Sequence, residues 1–152
     1  EDSAHARIVI TLWPAMLQAE GDDADLLGAL CALVDNALKY APSGPVELTI
    51  SAEGRCCTIA IADRGPGMDE EDLRGAFDRF YRGGSADGIE GTGLGLPIVR
   101  KEIERAGGTV TLANRAGGGL VCTIVLPLLQ SLETSVPAPS VASAGAVSLD
   151  NR

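Results

Sequence analysis

The chain has 152 residues, of which 45% are hydrophobic, and a formal net charge of −9. This length and composition predict one soluble globular domain with a real core. The acidic balance argues against non-specific binding to nucleic acid or anionic lipid, because both need basic surface. We find no apolar run of membrane-spanning length and no signal peptide, and therefore expect the cytoplasm, or the cytoplasmic end of a larger membrane-bound protein.

The four cysteines predict packed, reduced thiols rather than a disulfide framework. Cys31 lies in a helical pattern, Cys56 and Cys57 are adjacent, and Cys122 stands alone. No pair therefore has the CxxC spacing of a zinc or thiol-redox motif. A redox role for the adjacent pair remains open.

The first part of the chain predicts a strand and an amphipathic helix. Residues 7–13 alternate well enough for a strand, and helical periodicity behind an acidic start predicts a helix from Ala24 to about Ala41. Pro42 and Gly44 end this helix. Its apolar stripe is expected to consist of Leu27, Leu30, Val34 and Leu38.

The remaining pattern predicts two hairpins, two more helices and a glycine-rich segment between those helices. In chain order these are strands at 46–52 and 56–63, a short helix within 68–83, the glycine-rich segment at 83–95, a helix from 94 or 96 to 105, and strands at 109–115 and 120–127. The composition from about residue 129 predicts a disordered tail. This order predicts an α/β sandwich with a mixed, mostly antiparallel sheet covered on one face by about three helices.

An aspartate ends the second predicted strand of the first hairpin. Ile59, Ile61 and Asp63 are two residues apart and should share the core face, where a carboxylate without a partner is costly. Gly65 and Gly67 follow and would let a flat ring approach the backbone. Asp63 could then accept a hydrogen bond from the exocyclic amine of adenine. The alternative is a solvated aspartate in an ordinary turn.

A polar face of the first predicted helix also suits a nucleotide. Asn36, Lys39 and Tyr40 share one helix face, where an amide oxygen can ligate Mg²⁺, an ammonium can neutralise phosphate and a phenol ring can line a pocket. The alternative is a solvated helix side.

A glycine run precedes the last predicted helix, where backbone N–H groups favour phosphate. It consists of Gly91, Thr92, Gly93, Leu94 and Gly95. No Lys-Ser or Lys-Thr follows it, and Leu96 breaks a dinucleotide GxGxxG, so neither common phosphate loop fits. A flexible surface loop is the alternative.

The ordered series LVDNALKY, DRGPG, FDRFYRG and GTGLGL resembles the ATP-binding catalytic domain of sensor histidine kinases of two-component systems, over roughly residues 7–128. The resemblance implies a Bergerat-type fold with a glycine-rich ATP lid. It also implies that residues 1–128 form the catalytic domain, and composition predicts that 129–152 form the disordered tail.

The resemblance assigns a role to each motif. Asn36 would coordinate Mg²⁺, Lys39 would face phosphate, and Tyr40 would line the pocket. Asp63 would bind the adenine amine, with Gly65 and Gly67 beside it. The F box would anchor the near end of the lid, with arginines close to the phosphates, and its matching residues are Phe77, Arg79, Phe80 and Arg82. The glycine run would form the far end of the lid, and the implied catalytic residues are Asn36, Lys39 and Arg82.

Two departures from the family pattern matter. Ala32 stands where the family often has a second asparagine and where hydrolytic relatives have a water-activating glutamate, which argues against a vigorous ATPase. The single histidine, His5, has no phospho-acceptor box around it. The acceptor is therefore expected on a separate dimerisation domain.

The resemblance implies that the chain binds Mg²⁺·ATP, or ADP, and donates the γ-phosphoryl group to that histidine, which then supplies an aspartate of a response regulator. This piece alone is expected to be monomeric, and the full-length kinase homodimeric. One alternative is a nucleotide-gated interaction module with a weakened or inactive kinase site. A serine kinase of the anti-sigma-factor type is disfavoured because those relatives keep an N-box glutamate and lack FDRFYRG.

Overall fold

The computed structural model describes residues 8–13, 21–41, 43–79 and 95–129. In chain order its elements are β1 (Ile8–Trp13), α1 (Asp23–Tyr40), β2 (Val46–Glu53), β3 (Cys56–Ala62), α2 (Glu70–Gly75), α3 (Gly95–Arg105), β4 (Thr109–Asn114) and β5 (Leu120–Pro127). None of the helices in these ranges is both long enough and apolar enough to cross a membrane. Residues 83–94 of the predicted lid and 130–152 of the predicted tail lie outside the described residues.

The strands form one sheet in the order β1-β2-β3-β5-β4. The strand β1 runs parallel to β2, and every other neighbouring pair is antiparallel. The helix α1 supplies the crossover that a parallel β1–β2 pair requires. The predicted α/β sandwich with a mixed, mostly antiparallel sheet is confirmed.

The core lies between one face of the sheet and the helices α1 and α3. Alternate residues of the central strands point to this face, as strand geometry requires. They are Cys57, Ile59 and Ile61 on β3, and Cys122, Ile124 and Leu126 on β5. Val99 and Ile103 of α3, each 1% exposed, pack in the same cluster. Thr49, Ser51 and Thr111 lie exposed on the other strand positions.

The predicted apolar stripe of α1 is partly wrong. The fully buried residues of this helix are Ala29, Leu33 and Ala37, whereas Leu27 is 62% exposed. Leu30, Val34 and Leu38 are only partly buried against the core. Small alanines allow α1 to pack closely against α3 and the sheet, and they form a spine that a search for large apolar residues overlooks.

Candidate functional site

Asp63 follows β3 directly and is buried, with 6% exposure. Its Oδ1 accepts hydrogen bonds from the backbone N–H groups of Gly65, at 2.9 Å, and of Leu120, at 3.1 Å. These two donors offset the cost of burying the carboxylate. In the described part of the chain no buried side-chain oxygen lacks a partner, and both hydrogen bonds to this carboxylate end on Oδ1. Its Oδ2 therefore reaches solvent and can accept a bond from a ligand.

The loop after Asp63 is held by close backbone packing. A Cβ at Gly65 would lie 2.8 Å from the carbonyl oxygen of Tyr40, so the loop rests directly on the end of α1. Gly67 has a φ of +75°, and a Cβ there would lie 2.6 Å from Oδ1 of Asn114. Both glycines are thus required by contacts within the protein itself, whether or not a ring approaches them.

The predicted N-box residues lie on α1 beside this loop and beside α3. Asn36 is half-buried, and a Cβ built on Gly95 would lie 3.9 Å from its Nδ2. Tyr40 is the last residue of α1 and meets the Asp63 loop through its carbonyl group. The structure therefore brings Asn36 close to Gly95, and Tyr40 close to Gly65.

Lys39 projects from the same helix into solvent. Its Nζ lies 2.9 Å from Oδ2 of Asp35, and both side chains are about half exposed. An exposed pair one helical turn apart contributes only about 0.3–0.5 kcal/mol. The pairing with Asp35 by itself therefore holds Lys39 only weakly.

The F box is described only at its beginning. Phe77 is half-buried, and the guanidinium carbon of Arg100 on α3 lies 5.9 Å from the centre of its ring. Arg100 also pairs with Glu104 at 2.9 Å. Arg79 lies exposed in the turn that follows α2. The predicted residues outside the described ranges are Phe80, Arg82, Gly91, Thr92, Gly93 and Leu94.

Three polar residues at this site, Arg115, Glu47 and Asn114, were not predicted from the sequence. Arg115 donates through Nη1 to the carbonyl of Asp63, at 3.2 Å, and through Nη2 to Glu47, at 3.0 Å. Asn114 accepts a hydrogen bond from the N–H of Met68, at 2.9 Å, and donates one to its carbonyl, at 2.6 Å. The signal in the sequence was a pair of polar residues, Asn114 and Arg115, at the end of a predicted strand and directly before the glycine-rich turn AGGG.

The cysteines are partly as expected. Cys57 and Cys122 are buried, whereas Cys31 and Cys56 are exposed, so the prediction that all four pack inside is wrong. Burial raises the pKa of Cys57, and it raises the pKa of Cys122 to about 12. Both buried thiols are therefore protonated and unreactive at neutral pH.

The side chains at this site suit a metal ion that is bound mostly by a phosphate ligand rather than by the protein. Among the described residues no group of three or more His, Cys, Asp or Glu side chains is arranged to hold an ion. Asn36, whose side-chain amide lies beside the start of α3, nevertheless carries an oxygen that can ligate a metal. Mg²⁺ commonly takes one or two protein oxygens and completes its shell with water and phosphate, so Asn36 fits that role.

The site combines a buried carboxylate at a strand end, a polar helix face and a glycine at the start of a helix, all on an α/β sandwich. Together these features define a nucleotide-binding class of protein. Residues 21–130 match the family described as "Histidine kinase-, DNA gyrase B-, and HSP90-like ATPase". The chain belongs to this family.

Its relatives within the family are sensor histidine kinases. It is 38% identical over 119 residues to the sensor-like histidine kinase SenX3 of Mycobacterium tuberculosis, covering 76% of this chain and 29% of that protein. It is 35% identical over 133 residues to the sensor protein kinase PmrB of Pseudomonas aeruginosa, covering 86% of this chain and 28% of that protein. The chain thus spans less than a third of these relatives.

Solved structures agree with this assignment. The mycobacterial sensor histidine kinase MprB superposes with a TM-score of 0.76 at 30% identity, covering 83% of this chain and 86% of that chain. The catalytic domain of the histidine kinase ThkA gives a TM-score of 0.71 at 27% identity, with 80% of each chain covered. Full-length ShkA, in complex with AMPPNP, gives 0.70 at 27% identity, covering 82% of this chain and 26% of that one. The predicted resemblance to a histidine kinase catalytic domain is confirmed.

Proposed function

We propose that this chain binds Mg²⁺·ATP and donates the γ-phosphoryl group to a histidine on a separate dimerisation domain. The observation that carries the proposal is the carboxylate of Asp63, whose Oδ1 is fixed by two backbone N–H groups while Oδ2 reaches solvent. A fixed acceptor of this kind favours the exocyclic amine of adenine and disfavours the carbonyl of guanine. The complex of the relative ShkA with AMPPNP supports the same nucleotide class.

The residues of this chain would act by position and charge. Asn36 would hold Mg²⁺, which neutralises phosphate charge when it is bound. Lys39 would leave Asp35 to face a phosphate, and Tyr40 would line the pocket. Phosphoryl transfer needs little covalent help from the protein, so alignment and charge neutralisation account for the catalysis.

The segment between α2 and α3 would complete the phosphate site. We propose that Arg79, Phe80 and Arg82 approach the phosphates from the near end of the lid. The far end would cradle them through the run Gly91, Thr92, Gly93, Leu94 and Gly95, whose last residue begins α3. Arg82 would act as the third catalytic residue, with Asn36 and Lys39.

The proposal requires partners beyond this chain. The sensor kinase relatives indicate a dimerisation domain that carries the acceptor histidine, and a response regulator that takes the phosphoryl group onto aspartate. We propose that residues 1–128 are the catalytic domain and that this domain works in the cytoplasm. We propose also that this piece alone is monomeric, whereas the full-length kinase is a homodimer.

A second function is favoured by Ala32. This partly buried residue lies one turn before Asn36 and offers no polar atom for a metal or a water. A domain with such a site could bind ATP, change its contacts with a partner, and transfer no phosphate. This interaction module and the kinase share the nucleotide site but differ in phosphotransfer.

The nucleotide site is tested by calorimetric titration of this chain with ATP, ADP and GTP, with Mg²⁺ present. We expect wild-type protein to prefer ATP over GTP by at least about tenfold, and Asp63→Asn to lose that preference because the amide presents an N–H as well as an oxygen. Asp69→Asn, at the N-cap of α2, is a suitable control for loss of a carboxylate nearby. Binding that does not distinguish the bases would contradict the proposal.

Phosphotransfer is tested separately by adding a two-helix histidine domain and labelled ATP. Acid-labile label on that domain, absent with Lys39→Ala, would identify the kinase. Tight ATP binding without any labelled histidine would favour the interaction module instead.

A further inference from the structure

The turn between β4 and β5 packs against the loop that carries Asp63. Three hydrogen bonds join Asp63 to this turn: its N–H donates to the carbonyl of Leu120 at 2.9 Å, its Oδ1 accepts from the N–H of Leu120 at 3.1 Å, and its carbonyl accepts from Arg115 at 3.2 Å. A Cβ at Gly119 would collide with the carbonyl oxygen of Asp63. The β4–β5 turn and the loop after Asp63 are therefore closely packed against each other.

Asn114 holds the far end of the same loop. It makes two hydrogen bonds to the backbone of Met68, one to the N–H and one to the carbonyl. These two hydrogen bonds hold the peptide groups on both sides of Met68. Met68 directly follows Gly67, whose φ of +75° only glycine adopts readily. The loop is thus held at Asp63 and again at Met68.

Arg115 ties this arrangement to the sheet. Its guanidinium bridges the carbonyl of Asp63 and the carboxylate of Glu47 on β2, with its side chain only 17% exposed. Arg64 also pairs with Glu47, at 3.4 Å, but is 44% exposed and makes no hydrogen bond to Asp63 among the described residues. Arg115 and Arg64 therefore share an anion but differ in their contact with Asp63.

We propose that Asn114 and Arg115 are positioning residues for base recognition. They hold the loop at 63–68 in the conformation in which Oδ1 of Asp63 accepts hydrogen bonds from backbone N–H groups and Oδ2 faces the adenine amine. Neither residue touches the nucleotide. The inference rests on the proposed function, because it assumes that Asp63 meets a base.

The test compares the ratio of the GTP and ATP dissociation constants, by calorimetry well below each variant's unfolding temperature. Asn114→Ala and Arg115→Ala should each lower this ratio by about tenfold, because a loosened Asp63 selects less well between an amine and a carbonyl. Thr111→Ala, exposed on the same strand as Asn114, and Arg64→Ala, in the same ion-pair cluster as Arg115, should stay within about twofold of wild type.

Each outcome has one meaning. An unchanged ratio in Asn114→Ala and Arg115→Ala, with wild type selective for ATP, would overturn the positioning role and leave the proposed function intact. A wild type that does not prefer ATP would overturn both. Lowered stability with an unchanged ratio would show a structural role only and would also overturn the inference.

Amide hydrogen exchange of the wild type gives a test that needs no variant. ATP should slow exchange at Gly65, Met68 and Leu120, whose N–H groups make the bonds described here, by about tenfold more than at Leu128. The N–H of Leu128 bonds to the carbonyl of Arg55 at the opposite end of β5. Equal slowing at all four amides would contradict the inference.

Discussion

Two carboxylates face each other where the first turn of α1 passes the last turn of α3. The charge of Glu102 is the main cause that raises the pKa of Asp25, and Asp22 adds to it. Arg105, which pairs with Glu102 at 3.3 Å, opposes the effect. Asp25 is exposed, whereas the side chain of Glu102 is only 17% exposed. The repulsion depends on the ionisation of both carboxylates and therefore on pH.

Asp25→Asn should change the pH dependence of stability. A carboxyl group whose folded-state pKa lies above its ordinary 3.8 costs no stability below that pH, and the cost develops as the pH rises through the folded-state value. The unfolding temperature of the variant minus that of wild type should therefore increase between about pH 3.5 and pH 7. Asp23→Asn, in the same turn, controls for the helix dipole. A difference that stays constant over this range would be inconsistent with the repulsion.

At the residue scale, the sequence predicted the position of Asp63 but not its support. Period-two alternation places Asp63 on the core face with Ile59 and Ile61, and all three are buried. Its partners Leu120 and Arg115 lie more than fifty residues later in the chain, at separations of 57 and 52 residues. Local patterns cannot reveal such contacts, because only the pairing of β3 with β5 brings them together.

At the element scale, α1 shows how a helix can be located correctly and its buried face misjudged. The predicted start at Ala24 lies one residue from the observed start at Asp23, and Asp22 caps the helix by accepting hydrogen bonds from the N–H groups of Ala24 and Asp25. The face that meets the sheet contains two alanines, which composition does not distinguish from surface alanines. Packing against α3 and the sheet, rather than side-chain size, decides which residues become buried.

This corrected face leads to a prediction on stability. Leu33 is 3% exposed and Leu27 is 62% exposed, so the same change to alanine should have very different costs. Leu33→Ala should lower the free energy of unfolding by about 2–5 kcal/mol, through lost burial and a cavity. Leu27→Ala should change it by no more than about 0.5 kcal/mol. Urea denaturation measures both, and similar costs would mean that the spine is assigned to the wrong face.

At the scale of the whole molecule, the net charge of −9 opposes the approach of a polyanion. Removing Mg²⁺ with a chelator should therefore weaken ATP binding by at least about tenfold. The metal effect should be smaller in Asn36→Ala, if Asn36 ligates the ion as proposed. Adenosine, which lacks phosphates, is the control and should bind equally with and without metal. An ATP affinity that is indifferent to chelation would remove the proposed role of Asn36.

The register of the last hairpin has a consequence for synthesis of the protein. Every motif that carries the resemblance to kinases lies before Pro97, yet one of the two N–H groups that hold Oδ1 of Asp63 belongs to Leu120. A nascent or truncated chain that ends between these points would carry every one of these motifs, while the carboxylate of Asp63 lacked the N–H group of Leu120. If Asp63 selects the base as proposed, that selection requires β5, which is made after all the residues that carry the resemblance.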